Sequence, residues 1–263
     1  MVEPLQELNA LCQKPDYKRK GNWYVRTILR DAALPVTWLL LHTSVTANQI
    51  TIVSLAIAMI AMLFLAIPGI AAFFAGVLFL QLWYYLDHVD GQIARYRKTA
   101  SLTGRFLDFL THHIVHTALF LSFGFYGYAA SGAVLFIIWG CIAALAMASF
   151  NVMHDVKYKT FFEKLSLEGG TIQPLAAGSA NSAPLKSIPR RCFSLVHKAC
   201  EIHVMINVLS LAAIVQIFIS KVDFRFILFM LYGAIAPFIT VTKLAYILKH
   251  QKVDQEYRDL FKS

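Results

Sequence analysis

The chain has 263 residues, 58% of them apolar and only 15% charged, with a mean hydropathy of +0.58. That profile excludes an ordinary soluble domain and points to an integral membrane protein. Its 24 Lys and Arg against 15 Asp and Glu leave a net charge of +9, which reads as membrane topology and attraction to anionic lipid, with no nucleic acid among the expected partners.

Residues 1–21 are polar, with Lys14, Lys18, Arg19 and Lys20 close together, and they lack the apolar core of a signal peptide. Residues 22–34 mix Trp23, Ile28 and Leu29 with Arg26, Arg30 and Asp31 before Pro35 interrupts the pattern, which predicts an amphipathic helix on the membrane surface. Six apolar runs follow at 48–66, 70–92, 104–128, 132–155, 200–220 and 225–247. Each approaches the roughly 20 residues that a helix needs to cross the hydrocarbon layer. The expected fold is therefore all-α and polytopic, with six transmembrane helices and an N-terminal amphipathic juxtamembrane helix.

The loops around Ile67-Pro68-Gly69 and from Tyr126 to Ser131 carry no Lys or Arg, and the third loop on that side holds only Lys221 and Arg225. All other basic residues fall on the opposite side or at its boundary, which makes that side cytoplasmic and places both termini there. The organisation expected is a cytoplasmic N-terminal segment over 1–45, a six-helix membrane domain over 46–248 that carries the active site, and a cytoplasmic tail over 249–263. Within the membrane domain, 158–198 reads as a cytoplasmic connector, rich in Gly, Ser, Ala and Pro at its centre, with a lid that closes on substrate as the alternative. Cys12, Cys141, Cys192 and Cys200 have no close metal-binding spacing, and Cys192 and Cys200 read as free thiols. Glycines 124, 127, 132 and 233 read as places where helices pack closely.

The most informative stretch runs from Asp87-His88-Val89-Asp90-Gly91-Gln92-Ile93-Ala94-Arg95 through Gly104-Arg105-Phe106-Leu107-Asp108 to His112. It closes an uncharged apolar run, where an unpaired carboxylate costs several kcal/mol. Asp87 and Asp90 are three apart on a helical pattern, Asp108 and His112 four apart on the next, so each pair shares a face. If the two helices are antiparallel neighbours, three carboxylates and an imidazole converge, and such a cluster needs a cation. Oxygen ligands favour Mg²⁺ or Ca²⁺, and the imidazole moves the preference towards Mn²⁺. Gly91 leaves room for a ligand or a second backbone. The ordinary alternative is a set of helix-end charges paired with Arg95, Arg97 and Arg105, which would need no fixed spacing across two spans.

This stretch resembles the signature of the CDP-alcohol phosphotransferases: Asp, two residues, Asp-Gly, two residues, Ala-Arg, eight residues, Gly, three residues, Asp, three residues, Asp. Asp87, Asp90, Gly91, Ala94, Arg95, Gly104 and Asp108 match with the family's spacing, and His112 stands where the family has its last Asp. The resemblance implies a metal-dependent transfer of a phosphoalcohol from a CDP-linked donor to an acceptor alcohol, with release of CMP. It implies that Asp87, Asp90 and Asp108 hold a pair of divalent ions, Mg²⁺ or Mn²⁺, and that Gly91, Ala94, Arg95 and Gly104 line the CDP site. At the last position it implies a metal ligand and general base, roles that His112 would inherit, because neutral imidazole can ligate a metal or accept a proton. Asn48 and Thr51 resemble residues that many members carry at the start of the first span. The implied partners are the donor, the acceptor alcohol and membrane lipids, with a homodimer allowed.

Asn151, His154, Asp155 and Lys157 at the end of the fourth span and Glu201, His203 and Asn207 at the start of the fifth could face the metal site as an acceptor pocket, although each taken singly reads as an interfacial anchor. Lys243 would then bind a phosphate or lipid headgroup unless it snorkels. His113 reads as structural, and His116 as either a partner of His112 or a packing residue. The rival function is a non-catalytic relative or a cation-binding transport protein. No residue distinguishes inositol or glycerol phosphate, serine or a lipid hydroxyl as acceptor, nor CDP-diacylglycerol from a soluble CDP-alcohol as donor.

Overall fold

The structure, a computed structural model, describes residues 2–13, 23–167 and 188–261, with only the backbone of 188–192. The helices are α1 Leu5–Cys12, α2 Arg30–Leu41, α3 Ala47–Ala66, α4 Ile70–Tyr96, α5 Leu102–Ser131, α6 Leu135–Leu167, α7 Ile188–Ala199, α8 Ile202–Phe218, α9 Phe224–Lys249 and α10 Lys252–Phe261. There is no strand among the described residues. Helices α3, α4, α5, α6 and α9 are each long and apolar enough to cross a membrane. The end of α7, Phe193–Ala199, forms a pair with α8 bent by 70°, and that pair counts as the sixth candidate span if taken as one. This is an all-helical, multi-pass membrane protein.

Boundaries differ from the sequence expectation where apolar content does not decide the helix. Helix α6 continues past residue 155 to Leu167, and α7 occupies the end of the expected 158–198 connector; the Gly- and Ser-rich centre of that connector lies outside the described residues. The side chain of Cys192 is also outside them. Pro35 does not interrupt the N-terminal helix. A π-helical turn, Val25–Leu29, leads directly into α2, which runs through Pro35. Proline removes one helical N–H, but Ala33, Leu34, Thr37 and Leu41 are buried, and α2 packs on α4, so tertiary contacts carry the helix across.

Helix α3 packs on α4 and α5, α5 on α6, α6 on α9 and α4 on α8. The shared core centres on Trp83, Phe120, Phe123, Met147 and Phe229. Helices α5 and α6 meet where Gly124 faces Gly140: a Cβ on Gly140 would lie 2.6 Å from the Gly124 Cα. Gly140→Ala should therefore push two backbones apart and cost about 1–3 kcal/mol, read as a lower melting temperature in detergent. Gly132 plays a different part from the packing role expected of it. It ends α5 at φ +72, with nothing within 4 Å of a would-be Cβ, as a left-handed helix cap.

At that end of the bundle Arg225, read from sequence as a loop charge, is only 2% exposed. It donates to the carbonyls of Ile67 at 2.8 Å, Leu65 at 3.2 Å and Gly69 at 3.4 Å, and lies 3.6 Å from the Tyr126 ring centroid. The guanidinium thus satisfies carbonyls at the C-terminus of α3 that the helix itself leaves open.

At the opposite end, two caps and one turn prepare the site. Thr46 and Gln49 form a reciprocal capping box, with Thr46 N–H to Gln49 Oε1 at 2.8 Å and Gln49 N–H to Thr46 Oγ1 at 3.3 Å, which starts α3 just ahead of Asn48 and Thr51. Ser101 Oγ accepts from Gly104 N–H at 3.0 Å and starts α5. Between α4 and α5 the chain turns at Lys98, which takes φ +54. Arg97 ties this turn to the α2–α3 loop through the carbonyls of Val45 and Thr43.

Candidate active site

Helix α3 packs against both α4 and α5, and across the α4–α5 turn long side chains from the two helices reach one another. His112 Nε2 is 3.0 Å from Asp87 Oδ1 and 3.4 Å from Asp108 Oδ1. One ligand atom from each of Asp87, Asp108 and His112 lies within 4.8 Å of the others, a spacing at which the three can hold a metal ion. The convergence expected from helical spacing is therefore present for these three. Asp90, the fourth expected member, is not within that group. It is 9% exposed and accepts a 2.5 Å hydrogen bond from Thr51 Oγ1 on α3, and it faces a cavity next to the cluster.

That cavity, about 520 Å³, is lined by Asp90, Gly91, Ala94, Arg95, Gly104 and Asp108, together with Asn48, Thr51 and the α4–α5 turn. The glycines are explained by what crosses them. A Cβ at Gly91 would meet Arg95 Nη1 at 3.0 Å, and one at Gly104 would meet Asn48 Oδ1 at 3.2 Å. Gly91 thus lets the Arg95 guanidinium lie against the α4 backbone, and Gly104 lets α5 approach α3. Arg95 is oriented from outside by α1, whose last residue, Cys12, offers its carbonyl to Arg95 Nε. The Cys12 thiol is 0% exposed, and burial pushes its pKa up to about 11, so it stays protonated and inert.

One motif residue that sequence reasoning passed over is structural. Gln92 is 0% exposed, accepts from Thr37 Oγ1 at 2.6 Å and donates Nε2 to the Arg30 carbonyl at 2.8 Å. It locks the motif turn of α4 onto α2. Only its place amid polar motif residues hinted at this, because the partners are 55 and 62 residues away.

A second cavity, about 320 Å³, lies on the other side of the cluster and includes His112 and His113 of α5, Asn151 and Asp155 of α6, Glu201 and Lys243. His113, read as structural, enters its wall and meets Asp155 Oδ2 at 2.6 Å, while His154 Nδ1 is 3.1 Å from Asp155 Oδ1. His203 Nε2 is 3.0 Å from Glu201 Oε2. His116, 5% exposed, is held by Asn151 Nδ2 at 3.2 Å. Two residues expected at this pocket belong elsewhere. Asn207 accepts from Gln81 Nε2 at 3.2 Å, and Lys157 pairs with Glu256 of α10 at 2.6 Å. Position along a helix puts both near the site, but helical phase turns Asn207 to α4 and Lys157 to α10.

The family model for CDP-alcohol phosphatidyltransferase matches residues 44–176, half of the chain. The chain belongs to the CDP-alcohol phosphatidyltransferase family. This is a family of transferases of substituted phosphate groups, typically dependent on metal ions, whose reaction joins a CDP-linked donor and an acceptor alcohol. The matched region spans the α4–α5 signature and both of its cavities' inner walls, whereas Glu201, His203 and Lys243 lie beyond it. No curated protein matches the chain.

Proposed function

We propose that this member transfers a phosphoalcohol, phosphatidyl or similar, from a CDP-linked donor to an acceptor alcohol and releases CMP. What supports the reading is the arrangement of two cavities on either side of the Asp87, Asp108 and His112 group, one carrying Gly91, Ala94, Arg95 and Gly104, the other rich in histidine. The donor occupies the first, with Arg95 against its diphosphate. The acceptor enters the second.

Asp87, Asp90 and Asp108 are the residues that would hold the divalent ions, a pair of Mg²⁺ or Mn²⁺, with His112 beside them; Asp87, Asp108 and His112 already have a spacing that suits such an ion, and Asp90 stands apart from them on the donor cavity. Bound there, the ions supply charge neutralisation on the diphosphate oxygens. In the transfer the acceptor oxygen bonds to the phosphorus that carries the alcohol, the bond from that phosphorus to the CMP oxygen breaks, and the hydroxyl proton passes to a base on the second cavity's side. Thr51 fixes Asp90 and α1 fixes Arg95, so neither has to be ordered when the donor arrives. A cation carrier would need the acids but not a nucleotide-sized cavity with an oriented guanidinium beside them. The test is to supply purified protein with Mg²⁺ or Mn²⁺ and a panel of CDP donors and acceptors. CMP release that requires the metal is expected; none from any pair would count against transfer.

We also propose that the site and both termini face the cytoplasm, on the distribution of Lys and Arg between loops. A cysteine at residue 98 should react with an impermeant reagent only from the cytoplasmic side, and one at residue 128 only from the other. Reversed labelling would put the site outside.

A further inference from the structure

The last turns of α7, Phe193–Ala199, meet α8 at a bend of 70°. Helix α8, Ile202–Phe218, has 17 residues, which makes it about 26 Å long against a hydrocarbon layer of about 30 Å. Its first turn therefore lies at the edge of that layer, at the end of the bundle where Cys200 and Glu201 share a cavity with His112. A helix bent so far from a membrane span runs closer to the membrane plane than to its normal. Composition separates α7 from a helix that enters the membrane. Its 12 residues include Arg190, Arg191, His197 and Lys198 and no Asp or Glu. Cations at bilayer depth are expensive, whereas at headgroup level an anionic leaflet attracts each of them. Packing leaves a face for that leaflet. Val196 packs on the bundle core and the His197 ring lies 5.2 Å from that of Phe150, but Leu195 is 67% exposed and Lys198 is exposed as well.

We infer that α7 is an interfacial helix whose partner is an anionic lipid surface, with Leu195 dipping into the upper acyl layer and the charge of Arg190, Arg191 and Lys198 at headgroup level. An exposed leucine beside an exposed lysine suits this boundary, because the apolar side chain enters the lipid while the ammonium reaches the headgroups. Charge complementarity chooses lipid over a second copy of this chain, whose own α7 would bring the same cations against these. His197 and Glu201, at the end of α7 and the start of α8, lie in the wall of the second cavity. Lipid that seats α7 therefore also steadies that wall. The region matched by the family model ends at residue 176, before α7 begins. The inference needs no transfer chemistry and stands apart from it.

The experiment uses the full-length protein in vesicles of phosphatidylcholine, with and without phosphatidylglycerol. An environment-sensitive dye is attached through Leu195→Cys, with Cys141→Ser and Cys192→Ser to remove competing thiols; Cys12 and Cys200 are buried. With phosphatidylglycerol present, the dye should shift to the blue and be quenched by lipids brominated high in the acyl chain, and deuterium exchange over residues 193–201 should slow. Three cations near an anionic surface weight the seated state on the order of 10²-fold, and high salt should shrink that preference. Combining Arg190→Gln, Arg191→Gln and Lys198→Gln should cancel the difference between the two vesicle types. Lys198→Gln alone should reduce it about 5-fold, which keeps the test open if the combined variant does not fold. A dye that reports water in both vesicle types, or the same response in both, would overturn the inference. So would cross-linking of two copies through residue 195, which would put a second chain on α7.

Discussion

Asp87→Asn, Asp90→Asn and Asp108→Asn are each expected to reduce metal-dependent CMP release at least about 10²-fold, since even groups one step behind a metal ligand cost 10- to 100-fold. Asn keeps the shape of Asp and removes its charge. In Asp90→Asn the amide oxygen can still accept from Thr51 Oγ1, so the α3–α4 contact survives and the loss reports the charge. Asp87→Asn removes the nearer partner of His112 as well as a proposed cation ligand, which makes it the most damaging of the three. Two readouts check this: CMP release, and calorimetric titration of Mn²⁺ into each variant after gel filtration shows it intact. Near-parental activity and Mn²⁺ affinity in all three would remove the proposed site.

His112→Ala should lower turnover on the order of 10²- to 10⁴-fold, the scale of a general base, with a smaller effect on the donor if, as proposed, Arg95 and the acids hold it. The ring has two roles open to it, and its tautomer keeps them apart. With Nε2–H donated to Asp87, as the 3.0 Å contact allows, Nδ1 keeps its lone pair and can take the acceptor's proton. With Nε2 on a metal, Nδ1 carries the hydrogen and cannot. A base therefore predicts lost turnover with Mn²⁺ affinity kept in His112→Ala, and a ligand predicts weakened Mn²⁺ binding as well. His112→Asp restores the family's carboxylate and should keep activity while moving the preference from Mn²⁺ towards Mg²⁺, because a hard oxygen replaces nitrogen. It also places a third carboxylate beside Asp87 and Asp108, so that variant should depend more on bound metal for its thermal stability. Full turnover in His112→Ala would reduce this residue to packing.

The features that could be read from the chain alone are those with short-range causes. Length and apolar content of a run determine whether a helix can cross a membrane, so α3, α4, α5, α6 and α9 begin close to their expected positions. Spacing of four puts Asp108 and His112 on one face of α5, so that pair could be read before the structure, whereas Asp87 joins them and Asp90 does not only because of how the bundle packs. Apolar content is blind beyond the hydrocarbon layer, which is why α6 runs to Leu167 and α2 passes through Pro35.

What needed the packed bundle is everything set by the partner rather than the residue. Helical phase names a face but not the helix that covers it. Position along the helix allows Asn207 and Lys157 to face the acceptor side, but Gln81 claims the first and Glu256 the second. Gly91 is required by Arg95, four residues on, but the orientation of that guanidinium comes from the carbonyl of Cys12, 83 residues away. The separation of Asp90 from the cluster, the division into two cavities, and the contact of Lys243 with the Phe150 carbonyl likewise depend on contacts between α3 and α4 or α6 and α9. These contacts join distant parts of the chain, and a single sequence carries no local signal for them.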